Sequence, residues 1–349
     1  MTEFIKSLNN SQLDAVSTTE GPILIIAGPG SGKTRVITSR IAYLIQNQDV
    51  SPYKIAAVTF TNKAANEMQD RIKSILGNDG LGLTTKTFHA FCSMVLRQHG
   101  ESIGISKEFV VFDDADQLSV IKKSMEENNI DSKKFSARNI LTTISNSKSQ
   151  LVNYEGFLKT KSNYYDEIVA RVFERYTDII ENSGGLDFDD LLLKTHLLFK
   201  QNSTVLNHYQ ERFQYLMIDE FQDTNIAQYE IAKQLSANSH NLCVVGDPDQ
   251  SIYSWRNADI RNILSFKDDF PKAKIITLEE KTLTKLFRTE YINYCSKVPR
   301  LFPKKLFWIN NLKKQKSLIK TVKTEKRTLQ NIFIIISIVL FKNYYLNTF

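Results

Sequence analysis

Apolar positions fall into two textures along the chain. Over residues 1–92 and 186–280 they form short, nearly continuous runs, at 23–27, 55–60, 215–218 and 242–246, and Leu83 to Thr87 is a further strand-like run. Each run ends in glycine or polar residues. The first is followed by apolar positions three and four apart (Val36, Ile37, Ile41, Ala42, Leu44, Ile45), the spacing of an amphipathic helix. Buried strands alternating with helices predict an α/β fold with a parallel sheet covered on both faces. Residues 4–15 form a short amphipathic segment ahead of the first strand. From 93 to 185 glycine becomes sparse, and apolar residues recur at helical spacing with Lys and Glu between them (Leu118, Ile121, Met125; Ile168, Val172, Tyr176, Ile179, Ile180). That stretch predicts a helical insertion, closed by Ser183-Gly184-Gly185.

The turn after the first strand carries the densest chemistry. Ala27-Gly28-Pro29-Gly30-Ser31-Gly32-Lys33-Thr34 joins a strand to a helix, the context in which a glycine-rich loop cradles phosphates. Glycines let backbone N–H groups turn inward around an anion, and the following helix adds its positive end. Lys33 supplies a point charge for the β- and γ-phosphates, and the Thr34 hydroxyl supplies a ligand for Mg²⁺. Ala27 stands where the pattern has glycine, which requires a negative φ at that position. Just upstream, the Gln12 amide offers the donor and acceptor that an adenine edge asks for, although a solvated glutamine is the default reading.

The run 215–218 delivers Asp219 and Glu220 at its C-terminal end, within Asp219-Glu220-Phe221-Gln222-Asp223. Asp219 is placed to hold the Mg²⁺ shell, and Glu220 to orient and deprotonate an attacking water. The run 242–246 leads to Gln250, a sensor for the γ-phosphate, and to Tyr253, Trp255 and Arg256. Two rings and a guanidinium so close together suit base stacking with a phosphate contact. His89 follows the run 83–87; its default reading is a structural histidine.

Charge is unevenly distributed. Residues 281–349 hold 15 Lys+Arg against 2 Asp+Glu, leaving 30 against 36 in residues 1–280, so the net +7 comes from the tail and not from the body. Cys92, Cys243 and Cys295 are widely spaced, which suggests neither a disulfide framework nor a zinc site and fits a reducing cytoplasm. No apolar signal core opens the chain. Its longest apolar run, 332–341, is interrupted by Ser337 and is too short to span a bilayer. No membrane partner is expected.

Taken together, these residues closely resemble the UvrD/Rep/PcrA-like superfamily 1 DNA helicases. The nucleotide site of that family matches Gln12 and the run from Ala27 through Gly28, Pro29, Gly30, Ser31, Gly32, Lys33 and Thr34 to Arg35. Its DNA-contact motifs match Thr59-Phe60-Thr61-Asn62-Lys63-Ala64-Ala65 and Thr87-Phe88-His89, its acidic motif matches Asp219 to Asp223, and its coupling motif matches Gly246 to Arg256. The resemblance implies a RecA-like ATP-binding motor domain in two pieces, 1–92 and 186–280, with 93–185 as an inserted helical subdomain. It also implies ATP and Mg²⁺ as cofactors, single-stranded DNA and duplex DNA with a 3′ tail as partners, and 3′→5′ unwinding. Phe60, Thr61, Asn62, Thr87, His89, Tyr253, Trp255 and Arg256 would touch DNA. A nucleotide- and DNA-binding module without enzymatic activity is the rival reading; a phosphate-loop kinase or transporter ATPase fits the Gln250–Arg256 cluster poorly.

The resemblance stops at 280. Lys281-Thr282-Leu283-Thr284 stands where the family has an Asn-Tyr-Arg-Ser-like motif, and Phe287-Arg288-Thr289 is at most a displaced remnant. The expectation is a truncated or frame-disrupted chain, with 281–349 as a remnant of the start of a second motor domain. One lobe supplies one wall of an ATP site, and an arginine finger from the opposite lobe is worth roughly 10³–10⁵ in rate. ATP binding, at most trace hydrolysis and no strand separation are therefore expected of this chain alone. The tail also carries an uncharged, proline-free run rich in β-branched residues, the signature of an aggregation-prone segment. A chain ending at Glu280 is expected to be more soluble than the full chain. Centrifugation of the two after identical expression checks this, and equal solubility with a protease-resistant tail would refute it.

Overall fold

The computed structural model describes residues 3–28, 30–250 and 261–278. Pro29, Tyr253, Trp255, Arg256 and the basic tail lie outside the described residues. Eight strands are present among them: β1 Ile23–Ala27, β2 Ile55–Thr59, β3 Thr84–Thr87, β4 Val110–Phe112, β5 Gly185–Asp187, β6 Tyr215–Ile218, β7 Leu242–Gly246 and β8 Lys274–Leu278. Six of them form one sheet in the order β3-β2-β6-β7-β1-β8, and β4 pairs with β5 in a small second sheet. Every pairing is parallel. The strand β8 escapes the hydropathy reading because Lys274 and Thr277 break its apolar run and Ile275 is exposed; pairing with β1 makes it a strand.

Strand residues alternate between two cores because side chains on a strand point to opposite faces. Leu24, Val58, Ile218 and Val244 join the helices Phe88–His99, Phe188–Gln201 and Ile226–Ser236 on one face. Ile25, Ala57, Met217 and Val245 join the helices Lys33–Asn47 and Asn62–Leu76 on the other. A third cluster, including Ile121, Met125, Ile140, Ile144, Val172, Phe173 and Tyr176, belongs to the helices Asp114–Glu127, Ala137–Ser149 and Tyr164–Asn182. The helix Phe88–His99 runs unbroken through residue 93, and its Val95 and Leu96 pack with the sheet. Among the described residues, no helix is long and apolar enough to cross a membrane.

The short helix Asn10–Ser17 is fastened to the sheet layer by a buried cation. Arg40, 1% exposed, donates to the main-chain carbonyls of Ala15 (2.8 Å) and Thr19 (3.0 Å) and also to that of Thr18. These carbonyls lie at and just beyond the helix C-terminus, where the helix dipole favours positive charge. Arg40→Met keeps the length but strands three acceptors. It is expected to cost about 2–4 kcal/mol, read from the urea midpoint at unchanged slope. A loss under about 1 kcal/mol would show the clamp to be incidental.

Candidate nucleotide site and nucleic-acid face

Because the sheet is parallel, the C-terminal ends of β1, β2, β3, β6 and β7 open on one edge, where open α/β sheets bind ligands. Ala27 ends β1 without a positive φ, so the methyl group is accommodated. The loop then turns through Gly30 (φ +74°) and Gly32 (φ +91°), a left-handed region that favours glycine. A Cβ on Gly32 would also lie 3.1 Å from Gln12 Nε2. Ser31 closes the loop on itself, its hydroxyl donating to the Gly28 carbonyl at 2.7 Å. The helix Lys33–Asn47 starts directly after Gly32, with its N-terminus at the loop.

Gln12 is buried, not solvated as the default reading had it. Its Nε2 donates to the Ser31 carbonyl at 2.9 Å, and its Oε1 accepts from the Asn9 N–H at 3.1 Å in a capping box. It therefore ties the N-terminal helix to the phosphate loop, and its amide keeps one N–H and one lone pair for a ligand. Arg35, exposed, donates to the Ser7 carbonyl at 3.1 Å and fastens the same segment from its other side.

Three strand ends converge on one ammonium. Lys33 Nζ, from the loop after β1, donates to Glu220 Oε2 at 2.8 Å and to Gln250 Oε1 at 2.9 Å, groups that follow β6 and β7. Glu220 holds left-handed backbone (φ +50°), rare for a residue with a side chain and concentrated at functional sites. Asp219 is buried beneath it and accepts from the Glu220 N–H at 3.0 Å. Burial, and then the charge of Glu220, push the Asp219 carboxyl up to about 6 against the pull of that N–H, Lys33 and Thr34. Burial and Glu220 likewise push Asp223 up to about 6, and burial raises Asp247. Asp223 Oδ1 and Asp247 Oδ2 are buried without a hydrogen-bond partner. Buried oxygens lacking donors, beside an ammonium and a glycine cradle, suit a hydrated cation and phosphate.

The sequence reading gave no role to Gln222. Its Nε2 donates to Glu220 Oε2 (2.9 Å), and its Oε1 accepts from the Asp247 N–H (2.9 Å), joining the ends of β6 and β7. Gly246 makes room for this bridge, since a Cβ there would sit 2.9 Å from Gln222 Oε1.

Farther along the same edge, β2 and β3 pair with Thr59 opposite Thr87, which brings 60–62 beside 87–89. Phe60 and His89 are half-buried, while Thr61 and Asn62 are exposed. Thr61 and Thr87 cap helices, accepting from the N–H groups of Ala64 (3.1 Å) and Ala90 (3.2 Å) and keeping their hydroxyl protons to donate. Two helix N-termini with spare donors form a surface suited to a phosphodiester chain. The sequence reading gave no role to residues 186–192. Phe188 is 42% exposed and meets His89 edge-on, ring centroids 5.8 Å apart. The signal was present as a large aromatic set among acids in the first turn.

The model for the UvrD/REP helicase N-terminal domain matches residues 8–271. The ATP-dependent DNA helicase PcrA of Bacillus subtilis is 51% identical over 278 residues, covering 80% of this chain and 38% of the relative. Proteins of the same name from Staphylococcus epidermidis and Staphylococcus aureus are 49% and 48% identical over 280 residues, with the same coverage. The chain thus spans about 38% of the length of these curated relatives.

The raised Asp219 carboxyl has a measurable consequence. Its folded value lies above the usual 3.8, so the folded state holds a proton that the unfolded state has lost between about pH 4 and 6, and its contribution to stability falls as pH rises through that window. Asp219→Asn removes this dependence. Without nucleotide, it is expected to gain stability over the parent between pH 4 and pH 7, by at most about 3 kcal/mol. Urea denaturation of both chains at the two pH values checks this; a pH-independent difference would refute it.

Proposed function

The chain belongs to the family of UvrD/REP helicase N-terminal domains, and from that premise we propose that it is the nucleotide-binding motor lobe of an ATP-dependent 3′→5′ DNA helicase. The observation that carries this reading is the convergence of Lys33, Glu220 and Gln250 from three strand ends. Lys33 exchanges those two contacts for the β- and γ-phosphates. The backbone from Gly28 to Thr34 holds the phosphate chain, and the spare donor and lone pair of Gln12 meet the base. Thr34 and Asp219 would hold Mg²⁺, which would supply positive charge against the phosphate oxygens. Glu220, released from Lys33, orients the attacking water and takes its proton, while Gln250 reports the γ-phosphate to the segment carrying Tyr253, Trp255 and Arg256.

In this reading, single-stranded DNA crosses the edge at Phe60, Thr61, Asn62, Thr87 and His89, with Phe188 as an added base platform. A duplex with a 3′ tail is the working substrate of the complete motor. The discontinuous unit 1–92 with 186–280, interrupted by helical 93–185, draws support from the separate third core. Cys92 and Cys243, free and buried, accord with a reducing cytoplasm.

Calorimetric titration of the full chain with ATP·Mg²⁺ tests the site. Lys33→Ala is expected to weaken binding by about tenfold or more. Glu220→Gln is expected to keep the binding and lose any DNA-stimulated hydrolysis. Equal affinities for the parent and Lys33→Ala would overturn the site. Nucleotide binding with no hydrolysis on adding DNA would favour a binding module over an enzyme.

A further inference from the structure

A second group of deeply buried charges lies where the helical region meets the sheet layer. Lys148, 3% exposed near the end of the helix Ala137–Ser149, reaches Asp187 Oδ2 at 2.6 Å and Asp190 Oδ1 at 2.8 Å. Tyr176, from the helix Tyr164–Asn182, donates to the same Asp187 oxygen at 2.7 Å. The remaining oxygens close a capping box: Asp187 Oδ1 accepts from the Asp190 N–H (2.7 Å), and Asp190 Oδ2 accepts from the Asp187 N–H (3.2 Å). Every carboxylate oxygen is thus satisfied. Burial disfavours the Lys148 charge, and the two aspartates more than reverse that.

Such a group is costly to bury and is weak evidence for stability in itself. What it does determine is geometry. Asp187 ends β5 and caps the helix Phe188–Gln201, and Asp190 lies in that helix's first turn. Between them stands Phe188, the exposed ring against His89. A backbone held on both sides by one ammonium leaves the Phe188 Cα little freedom, so ring placement on the nucleic-acid face depends on residues drawn from the helical region.

We propose that Lys148 is a positioning residue for nucleic-acid binding: with Tyr176 it clamps Asp187 and Asp190, and this clamp holds Phe188 beside His89 as a platform for a nucleobase. The proposal rests on the DNA-binding reading given above. It makes the helical region a contributor to the DNA face through a buried contact, without touching DNA there.

The test uses the full chain, fluorescein-labelled oligothymidylate for DNA affinity and a fluorescent ADP with Mg²⁺ for nucleotide affinity. Lys148→Met is expected to weaken oligonucleotide binding by about fivefold or more and to leave nucleotide affinity within about twofold, roughly the scatter between equivalent sites. In a Phe188→Ala background the same substitution should add nothing, since the platform is already gone. Tyr176→Phe, which removes one hydrogen bond and no charge, should show the same selective loss to a smaller degree, and it carries the test alone if Lys148→Met does not fold. Unchanged oligonucleotide affinity, a parallel loss of both affinities, or an equal loss with Phe188 absent would each overturn the proposal. Failure of the parent chain to bind the oligonucleotide would overturn the DNA-binding reading itself.

Discussion

All the strands of the central sheet run the same way, and both of its faces are covered. A parallel sheet cannot be made from tight hairpins, so each strand returns through a helix, and every strand's C-terminal end reaches the same edge. That constraint lets groups 187 and 217 residues away in sequence meet at one ammonium. Lys33, Glu220 and Gln250 need no loop built to bring them together; the register of β1, β7 and β6 does it. It also sets the candidate nucleic-acid face beside the candidate nucleotide site, because β2 and β3 continue the same edge outward.

Within this arrangement the acids at the end of β6 are under electrostatic load. Asp219, Glu220 and Asp223 crowd together, two of them with raised carboxyls, and Glu220 adopts a backbone conformation that side chains disfavour. Lys33 and Gln222 hold Glu220 from two directions. The Gln222 bridge then passes to the main chain of Asp247, at the start of the segment leading to Gln250. This is a contiguous path of hydrogen bonds between two strand ends, with Gly246 leaving the space for it.

Much of this was legible in the sequence because it is local. A glycine-rich turn between an apolar strand and an amphipathic helix, or two acids at the end of a strand, carry their chemistry in adjacent residues, and the five short strand-like runs became five of the six strands of the main sheet. What was not legible depends on distant partners. The strand β8 is polar enough to hide until β1 pairs with it, and Gln222 looks like a spacer until Asp247 arrives. Phe188 was masked by the acids around it, whose partner Lys148 lies in another helix. Gln12 shows the same limit in reverse: its burial follows from contacts with Asn9 and Ser31, only one of which is close in sequence.

The Arg40 clamp differs in kind from the other buried charges. Lys33 and Lys148 face carboxylates, and their bonds change when those carboxylates gain a proton. Arg40 faces only amide carbonyls, which do not titrate over the range in which proteins fold. Its depth shields it from dissolved ions. The helix that carries Gln12 is therefore moored by a contact with no titrating partner, while the acids at the ends of β6 and β7 respond to pH. The Gln12 end of the candidate nucleotide site keeps its shape under conditions that retune the acids at its other end.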